Sequence, residues 1–325
     1  MDAQTKAELL ATGRVAIDEN LLGKTLVSSA GPGAGKVGFF FTSGGHRVKL
    51  GADANSPLKA IEKDGKICIY KDEKLLACGQ IEEELLHCPE QAYINMTETC
   101  IFDCKFCPVP KLNGRVKSVE EVLDMIEKAH DTGKMKAISI TAGVDEKVEK
   151  EVDRAVDVVR KCKRYHVPIG VSVYPTINSN KLLKEAGADE IKYNVETMDR
   201  QLYSELCGEQ DLDFILDCLS EAVRMFGKNR VCSNFIIGLG ENDETVMQGI
   251  RELVRRGVVP ILRPATSHPL RKGEVNIERP SKERILKLTR FLREELDQAG
   301  LDTRLFRTMC LPCTGCDLGP HRDLG

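Results

Sequence analysis

The chain has no tryptophan, and aromatic residues make up 5% of its 325 positions, too few for a nucleic-acid surface built on base stacking. It has no excess of either charge. Forty-seven Lys+Arg stand against fifty Asp+Glu for a formal net of −3, so no global basic field argues for a nucleic-acid partner. No apolar run approaches the roughly 18–20 residues that cross a bilayer, and the opening MDAQTKAELLATG lacks the basic flank and apolar stretch of an export signal. The expectation is a cytoplasmic protein that binds neither membrane nor nucleic acid. What the chain does have is cysteine. Its thirteen are about 4% of the residues, below the roughly 8–10% of a disulfide scaffold, and odd in number. In a reducing compartment, clustered thiols more often hold metal than pair.

The first ninety residues carry short apolar runs, GFFF (38–41), KICIY (66–70) and KLLACG (74–79), punctuated by GG, DG and KDEK. This pattern predicts a small β-rich extension over residues 1–87. Gly31, Gly33 and Gly35 before Lys36 invite comparison with a phosphate loop, but Ala30 and Val37 break that motif at both ends, leaving a flexible turn. From residue 91 short β-rich runs alternate with amphipathic stretches. The strands are expected at 91–96, 136–141, 168–174, 189–195, 231–238 and 258–264. Ser118 and Glu121 read as a capping box for the helix between the first two, with Gly133 as its stop. Parallel pairing through right-handed crossovers follows. The fold class is α/β, a partial or full (β/α) TIM-like barrel over 88–300, with a doubly wound sheet as the alternative. A C-terminal strand at 302–308 and a Cys-rich tail complete the chain to 325. In either architecture the chemistry belongs at the C-terminal ends of the strands.

Directly after the first of these strands comes Cys100-Ile-Phe-Asp-Cys104-Lys-Phe-Cys107. Three thiols on one loop leave a metal centre one ligand short. Structural zinc takes four protein ligands, here requiring a distant fourth such as His87, whereas an iron–sulfur cluster on three thiolates keeps one iron free. The C-x3-C-x2-C spacing, the aromatic Phe106 before the third cysteine and the position after strand one resemble the radical S-adenosylmethionine superfamily. That resemblance implies a [4Fe-4S] cluster on Cys100, Cys104 and Cys107, with S-adenosylmethionine chelated on the free iron and cleaved to a 5′-deoxyadenosyl radical. It extends over roughly residues 91–300. Thr141, Ala142 and Gly143 end strand two where the superfamily places a backbone edge against the methionine amine, although the sequence reads TAGV rather than GGE. Asn194-Val195-Glu196-Thr197 is similar to the N-x-E/D-T element by which biotin and lipoyl synthases hold the ribose; on a strand, period two sets Asn194 and Glu196 on one side. Ile237 and Gly238, in Phe235–Glu241, resemble the fifth-strand region that packs on adenine. Arg263, at the end of strand six, is a candidate clamp for a carboxylate.

Cys310-Leu-Pro-Cys313-Thr-Gly-Cys316 places three more thiols in one turn. Cys88 is a candidate fourth ligand, reached if the segment before strand one folds across the barrel. These four read as a second [4Fe-4S] site, with a zinc knuckle as the alternative. The remaining six, Cys68, Cys78, Cys162, Cys207, Cys218 and Cys232, read as packing residues. In lipoyl and biotin synthases a second cluster donates sulfur, and the run from Tyr193 through Glu241 looks especially like lipoyl synthase. The N-terminal C-x4-C-x5-C set and terminal R-S-S-Y of the bacterial enzyme are absent, which looks more like one subunit of the two-component archaeal lipoyl synthase. The resemblance then implies sulfur insertion into an octanoyl chain on a carrier protein, reduced ferredoxin or flavodoxin as electron donor, and a second radical S-adenosylmethionine subunit as partner. The alternatives are a mutase, methylase or cofactor-maturation enzyme whose C-terminal cysteines hold a structural metal or an electron-transfer cluster, and a non-enzymatic scaffold. Lys192 and Tyr193 alternate on their strand, so at most one faces inward; Thr266, Ser267 and His268 follow in a loop, where His268 reads as solvated.

Overall fold

The computed structural model describes residues 1–22 and 26–325. After α1 (Ala3–Thr12), whose first turn is capped by the Asp2 carboxylate, the N-terminal segment forms β1 (Arg14–Val15), β2 (Leu26–Val27), β3 (Val37–Ser43), β4 (His46–Ala52), β5 (Leu58–Lys63), β6 (Lys66–Lys71) and β7 (Lys74–Glu82). The pairing order β1-β4-β3-β7-β6-β5 is closed by Ala16, just past β1. Its N–H donates to Leu58 O and its carbonyl accepts from Ala60 N–H, both at 2.8 Å. The extension is thus a small closed barrel, which leaves β5 no free edge on that side.

The three phenylalanines of β3 obey the period-two rule and are nevertheless all buried. Phe39 and Phe41 fill the small barrel with Val48 and Leu50 of β4. Phe40, on the opposite face, packs against Cys88 and Cys313. A strand buried on both faces means that this barrel is covered by something, and the cover is the C-terminal tail.

β8 (His87–Cys88) pairs antiparallel with β9 (Gln91–Asn95). β9, β10 (Ala137–Thr141), β11 (Ile169–Ser172), β12 (Glu190–Lys192), β13 (Val231–Ile237) and β14 (Val259–Pro264) then run parallel in strict chain order. Chain order without reversal is that of a barrel wall, so the doubly wound alternative fails. The sheet stays open between β14 and β8, making a half-barrel. Its outer layer holds α2 (Val119–Asp131), α3 (Val148–Cys162), α4 (Ser179–Ala186), α5 (Arg200–Leu206), α6 (Leu212–Phe226), α7 (Asp243–Arg255) and α8 (Lys282–Gln298). The Ser118/Glu121 capping box is formed with both of its hydrogen bonds. Among the described residues no helix is long and apolar enough to cross a membrane.

Two sequence expectations are corrected. Residues 302–308 form no strand: Asp302 accepts from Arg304 N–H and caps a short 3-10 turn, Thr303–Leu305. The backbone beyond it finds side-chain acceptors instead of a strand edge. Arg307 and Thr308 N–H donate to the buried Glu190 carboxylate, and Met309 N–H donates to Gln91 Oε1 and Ser139 Oγ. The tail therefore crosses the N-terminal ends of β9, β10 and β12 before α9 (Cys310–Cys313). Second, Cys68 and Cys78 are a disulfide rather than two packing thiols, because β6 and β7 set them directly opposite each other.

The small barrel closes the open side of the half-barrel. Arg279 donates to Leu10 O and Ala11 O at the end of α1, and Lys36 Nζ donates to Ser267 O at 2.6 Å. Lys6 of α1 and Asp323 of the tail make a fully buried ion pair at 2.6 Å, with the Lys6 ammonium also on Thr314 O. Between the two barrels lies a cavity of about 420 Å³, within the range of small-molecule sites.

Candidate active site

At the C-terminal end of the strands, Cys100, Cys104 and Cys107 all line this cavity. The sequence folds their loop by pinning its backbone. Ile101 N–H donates to Val144 O, Gly143 N–H to Thr97 O, Lys105 N–H to Leu206 O, and Cys107 N–H to Cys104 O. Gly143 is required here: a Cβ would sit 1.9 Å from Thr99 O. From the far side the buried Arg271 holds the loop with Nε on Cys107 O and Nη2 on Asp103, while Glu274 takes its third position. Phe102 and Phe106 anchor the loop in the core.

Cys104 is buried, while Cys100 and Cys107 are half-buried at the cavity wall. Burial pushes Cys107 up to about 12 and raises Cys100. The Cys207 thiol hydrogen-bonded to Cys104, together with burial, raises Cys104 as well. Gln210 Nε2 donates to Cys104 Sγ at 3.0 Å. Thiols of this kind ionise when a metal replaces the proton. Cys207, expected only to pack, is thus a direct neighbour of the triad.

Thr141, Ala142, Gly143, Asn194, Glu196, Phe106 and Arg263 line the same cavity. Asn194 and Glu196 reach it by a route that the strand pattern does not give, since β12 ends at Lys192. Glu196 turns in through a left-handed φ of 58° and is bridged to β13 by Glu196 N–H to Asn234 O and Ile236 N–H to Glu196 O. Burial pushes its carboxyl up to about 7, partly opposed by Lys192 and by the Asn194 hydrogen bond. Asn95 Oδ1 and Asn234 Oδ1 are buried acceptors without a partner among the described residues, and both side chains line the cavity. Such atoms call for N–H or O–H donors from a ligand.

Ile237 and Gly238 are not in the wall. Alternation on β13 turns Asn234 and Ile236 inward and Ile237 into the core. Gly238 packs on the segment after β14, where a Cβ would meet Glu278 O at 2.2 Å, and its N–H is taken by Glu241. Ile236 and Leu239 line the cavity instead. Lys192 faces inward and Tyr193 outward, its hydroxyl on Ser179 and Asn180. His268 caps a 3-10 turn through Leu270 N–H.

The second thiol set lies at the opposite, N-terminal end of the strands. Cys310, Cys313 and Cys316 line the cavity, and Cys88 sits behind them in hydrogen-bonding contact with Cys313. The tail has come to Cys88, rather than the loop before β9 crossing the barrel. This end is cationic. Lys192 Nζ lies 3.5 Å from Cys310 Sγ and 3.1 Å from Tyr93 Oη. The Arg263 guanidinium makes no hydrogen bond or ion pair among the described residues, and its field acts on Cys316, whose thiol burial otherwise raises. The Cys88 hydrogen bond brings Cys313 down to about 7. Among the described residues no three of the sulfurs in either set lie within 4.8 Å of one another. A single tetrahedral zinc with Zn–S bonds of about 2.3 Å would hold them about 3.8 Å apart. In both sets the donors are thiols, the donor chemistry of iron–sulfur centres. Arg263, expected as a carboxylate clamp, and Lys192, expected only as one of two alternating strand residues, thus both sit beside the second thiol set. Tyr93 and Gln210 escaped sequence reasoning because no motif announces a hydroxyl or amide that becomes important only beside a thiol or its cation.

The Radical SAM superfamily model matches residues 94–253, and this half-barrel, with its three-cysteine loop after the first parallel strand, belongs to that superfamily. Within it the chain is similar to biotin synthase of Magnetococcus marinus, 30% identical over 159 residues, covering 46% of this chain and 48% of that one. It is 26% identical over 162 residues to the probable GTP 3′,8-cyclase of Pyrococcus abyssi (49% and 51% covered). To lipoyl synthase of Actinobacillus succinogenes it is 26% identical over 181 residues (52% and 56%). The chain spans about half the length of the curated relatives it matches. Among solved structures, methylornithine synthase superposes with a TM-score of 0.54 at 20% identity, over 63% of this chain and 62% of that one, which shows the shared fold.

Proposed function

We propose that the protein is a radical S-adenosylmethionine enzyme in which Cys100, Cys104 and Cys107 hold a [4Fe-4S] cluster, and that it inserts sulfur into an octanoyl chain carried on a protein. The observation that carries this reading is that two separate thiol sets face one cavity from opposite ends of the half-barrel. When bound, such a cluster with its free iron binds S-adenosylmethionine and, once reduced, cleaves it to supply a radical able to break an unactivated C–H bond. The chain's own residues then have definite tasks. The Thr141–Gly143 segment forms one wall, Asn194 and Glu196 would accept hydrogen bonds from hydroxyl groups, and Ile236 with Leu239 form the apolar side. Asn95 and Asn234 offer acceptors not used by the protein itself. The small barrel packed against the open side of the half-barrel would limit the access of water to a radical.

The second set, Cys310, Cys313, Cys316 and Cys88, supports a further iron–sulfur centre as the sulfur source. The similarity to lipoyl and biotin synthases supports sulfur insertion over the other chemistries. A reduced ferredoxin or flavodoxin would supply electrons, and a lipoyl carrier protein and a second radical S-adenosylmethionine subunit would be partners. The test is anaerobic reconstitution followed by incubation with S-adenosylmethionine, a low-potential reductant and an octanoyl-lysyl peptide. Sulfur appearing in the peptide alongside 5′-deoxyadenosine is the expected result. 5′-Deoxyadenosine with a rearranged or methylated product from another substrate would replace sulfur insertion by a mutase, methylase or cofactor-maturation reaction.

A further inference from the structure

The small N-terminal barrel has a face that its own core does not explain. On β3 and β4 the residues pointing away from that core are Phe40, Arg47 and Lys49, and Phe40 and Lys49 are directly paired across the two strands. All three meet the second thiol set. The Phe40 ring packs on Cys88 and Cys313. Arg47 Nη1 donates to Cys313 O at 3.3 Å. Lys49 makes two contacts that lie on different segments of the set: its N–H donates to Gly315 O at 2.6 Å, and its Nζ donates to His87 O, next to Cys88, at 3.2 Å. The same ammonium sits 4.8 Å from the Phe40 ring centroid.

Gly315 is fitted to this face. A Cβ there would lie 2.3 Å from Phe40 Cε1, so any side chain would lift the Cys313–Cys316 turn off β3. Beyond β3 and β4 the turn is held by Lys6 Nζ on Thr314 O and, at its start, by Met309 on Gln91 and Ser139. α9 is a single turn, bounded by Met309 and Thr314 at positive φ. Cys88 and Cys313 are far apart in sequence and share no strand pairing, so their contact depends on the surface that both touch.

We propose that the small barrel of residues 1–82 is the clamp of the second metal–thiolate site: Phe40 and Lys49 hold the Cys310–Cys316 turn and the His87–Cys88 segment in one register, so that the four thiols present a single binding site to an iron–sulfur cluster. The inference rests on the reading of these cysteines as a second centre. Phe40, Arg47 and Lys49 are positioning residues in it, acting through the backbone that carries the sulfurs. The role also accounts for why a strand with three consecutive phenylalanines buries all of them.

The test uses the full-length chain, reconstituted anaerobically with iron and sulfide, in four forms: wild type, Gly315→Val, Lys49→Met, and the triple variant with Cys310, Cys313 and Cys316 replaced by Ala. Readouts are iron per chain, the rate of iron loss to a chelator, and the electron paramagnetic resonance of the reduced protein with and without S-adenosylmethionine. The wild type is expected to hold about eight irons and the triple variant about four, as two four-iron centres require. Gly315→Val should fall to about four while keeping the signal that S-adenosylmethionine perturbs. Lys49→Met, a milder change, should release about half of its iron at least about 10-fold faster than the wild type, the size of effect typical of residues that orient metal ligands. If Gly315→Val loses both centres through misfolding, Lys49→Met decides. Eight irons in both single variants with wild-type release rates would overturn the clamp and leave the second centre standing. Equal iron in the wild type and the triple variant would overturn the second centre itself.

Discussion

Cys100, Cys104 and Cys107 come from eight consecutive residues, whereas Cys88, Cys310, Cys313 and Cys316 are brought together from two ends of the barrel segment and held by a third element. The two sets face the same cavity but are built on different principles. The first is a local loop whose geometry is fixed by backbone hydrogen bonds to Val144, Thr97 and Leu206 and by the Arg271 fork. Its charged neighbours are Arg271, paired with Asp103 on the far side, and Glu196 in the cavity wall, and Gln210 donates to Cys104 Sγ. The second is a tertiary assembly among cations, Lys192 at Cys310, Arg263 at Cys316 and Lys49 behind Cys88. Three thiols leave a centre open to a ligand, and four close it. On the proposed function, the loop would activate the ligand and the tail would keep a protected store.

The most severe way to break the comparison is to remove a loop ligand. Cys104→Ala should abolish 5′-deoxyadenosine formation, a loss of at least about 10³-fold or about 4 kcal/mol in barrier, as measured by chromatography after reaction with strong reductant. Cys313→Ala should leave 5′-deoxyadenosine formation within about 10-fold of wild type while eliminating sulfur transfer to an octanoyl peptide. Equal damage to both reactions would mean that the sets are one functional unit.

Gly143→Val probes the loop's packing without touching a ligand. The Cβ clash with Thr99 O should lower stability by about 2–4 kcal/mol in denaturant unfolding and loosen the first centre only. Lys192→Met removes a cation from the second set. Its reduction potential should fall by on the order of tens of millivolts, with the first unchanged, in a redox titration.

Glu196 offers the smallest and most local test. Its folded pKa, about 7, lies above the ordinary 4.5, so the folded protein binds a proton that the unfolded chain has released between these values. The stability associated with the protonated carboxyl is complete below pH about 4.5 and is lost as pH rises through about 7. Glu196→Gln should flatten that slope in urea unfolding across this window and weaken S-adenosylmethionine binding by about 10-fold at pH 8 by removing a carboxylate acceptor.

What could be read from the sequence follows from what is local. The six parallel strands and the Ser118/Glu121 cap have periodic or short-range signals, and each lies where its pattern places it. The three-cysteine loop is legible for the same reason. The second set was visible as C-x2-C-x2-C, yet its register against Phe40 and Lys49 depends on contacts some 270 residues apart in the chain, for which no pattern exists. The Cys68–Cys78 bond required knowing that β6 and β7 pair in a register that opposes them. Ile237 and Gly238 were displaced by one position because the alternation of β13 is visible in sequence but its phase is not. Asn194 and Glu196 reached the cavity through a left-handed turn at Glu196, where a continuing strand was expected.

The central claim is that one cavity separates an open three-thiolate centre from a closed four-thiolate one. Mössbauer spectroscopy of the iron-57 reconstituted chain, before and after S-adenosylmethionine, tests it most directly. The account predicts that about one iron in eight changes its signal in the wild type and about one in four when Cys310, Cys313 and Cys316 are replaced by Ala. No change on adding S-adenosylmethionine, or a change confined to the irons that the tail cysteines bind, would contradict it.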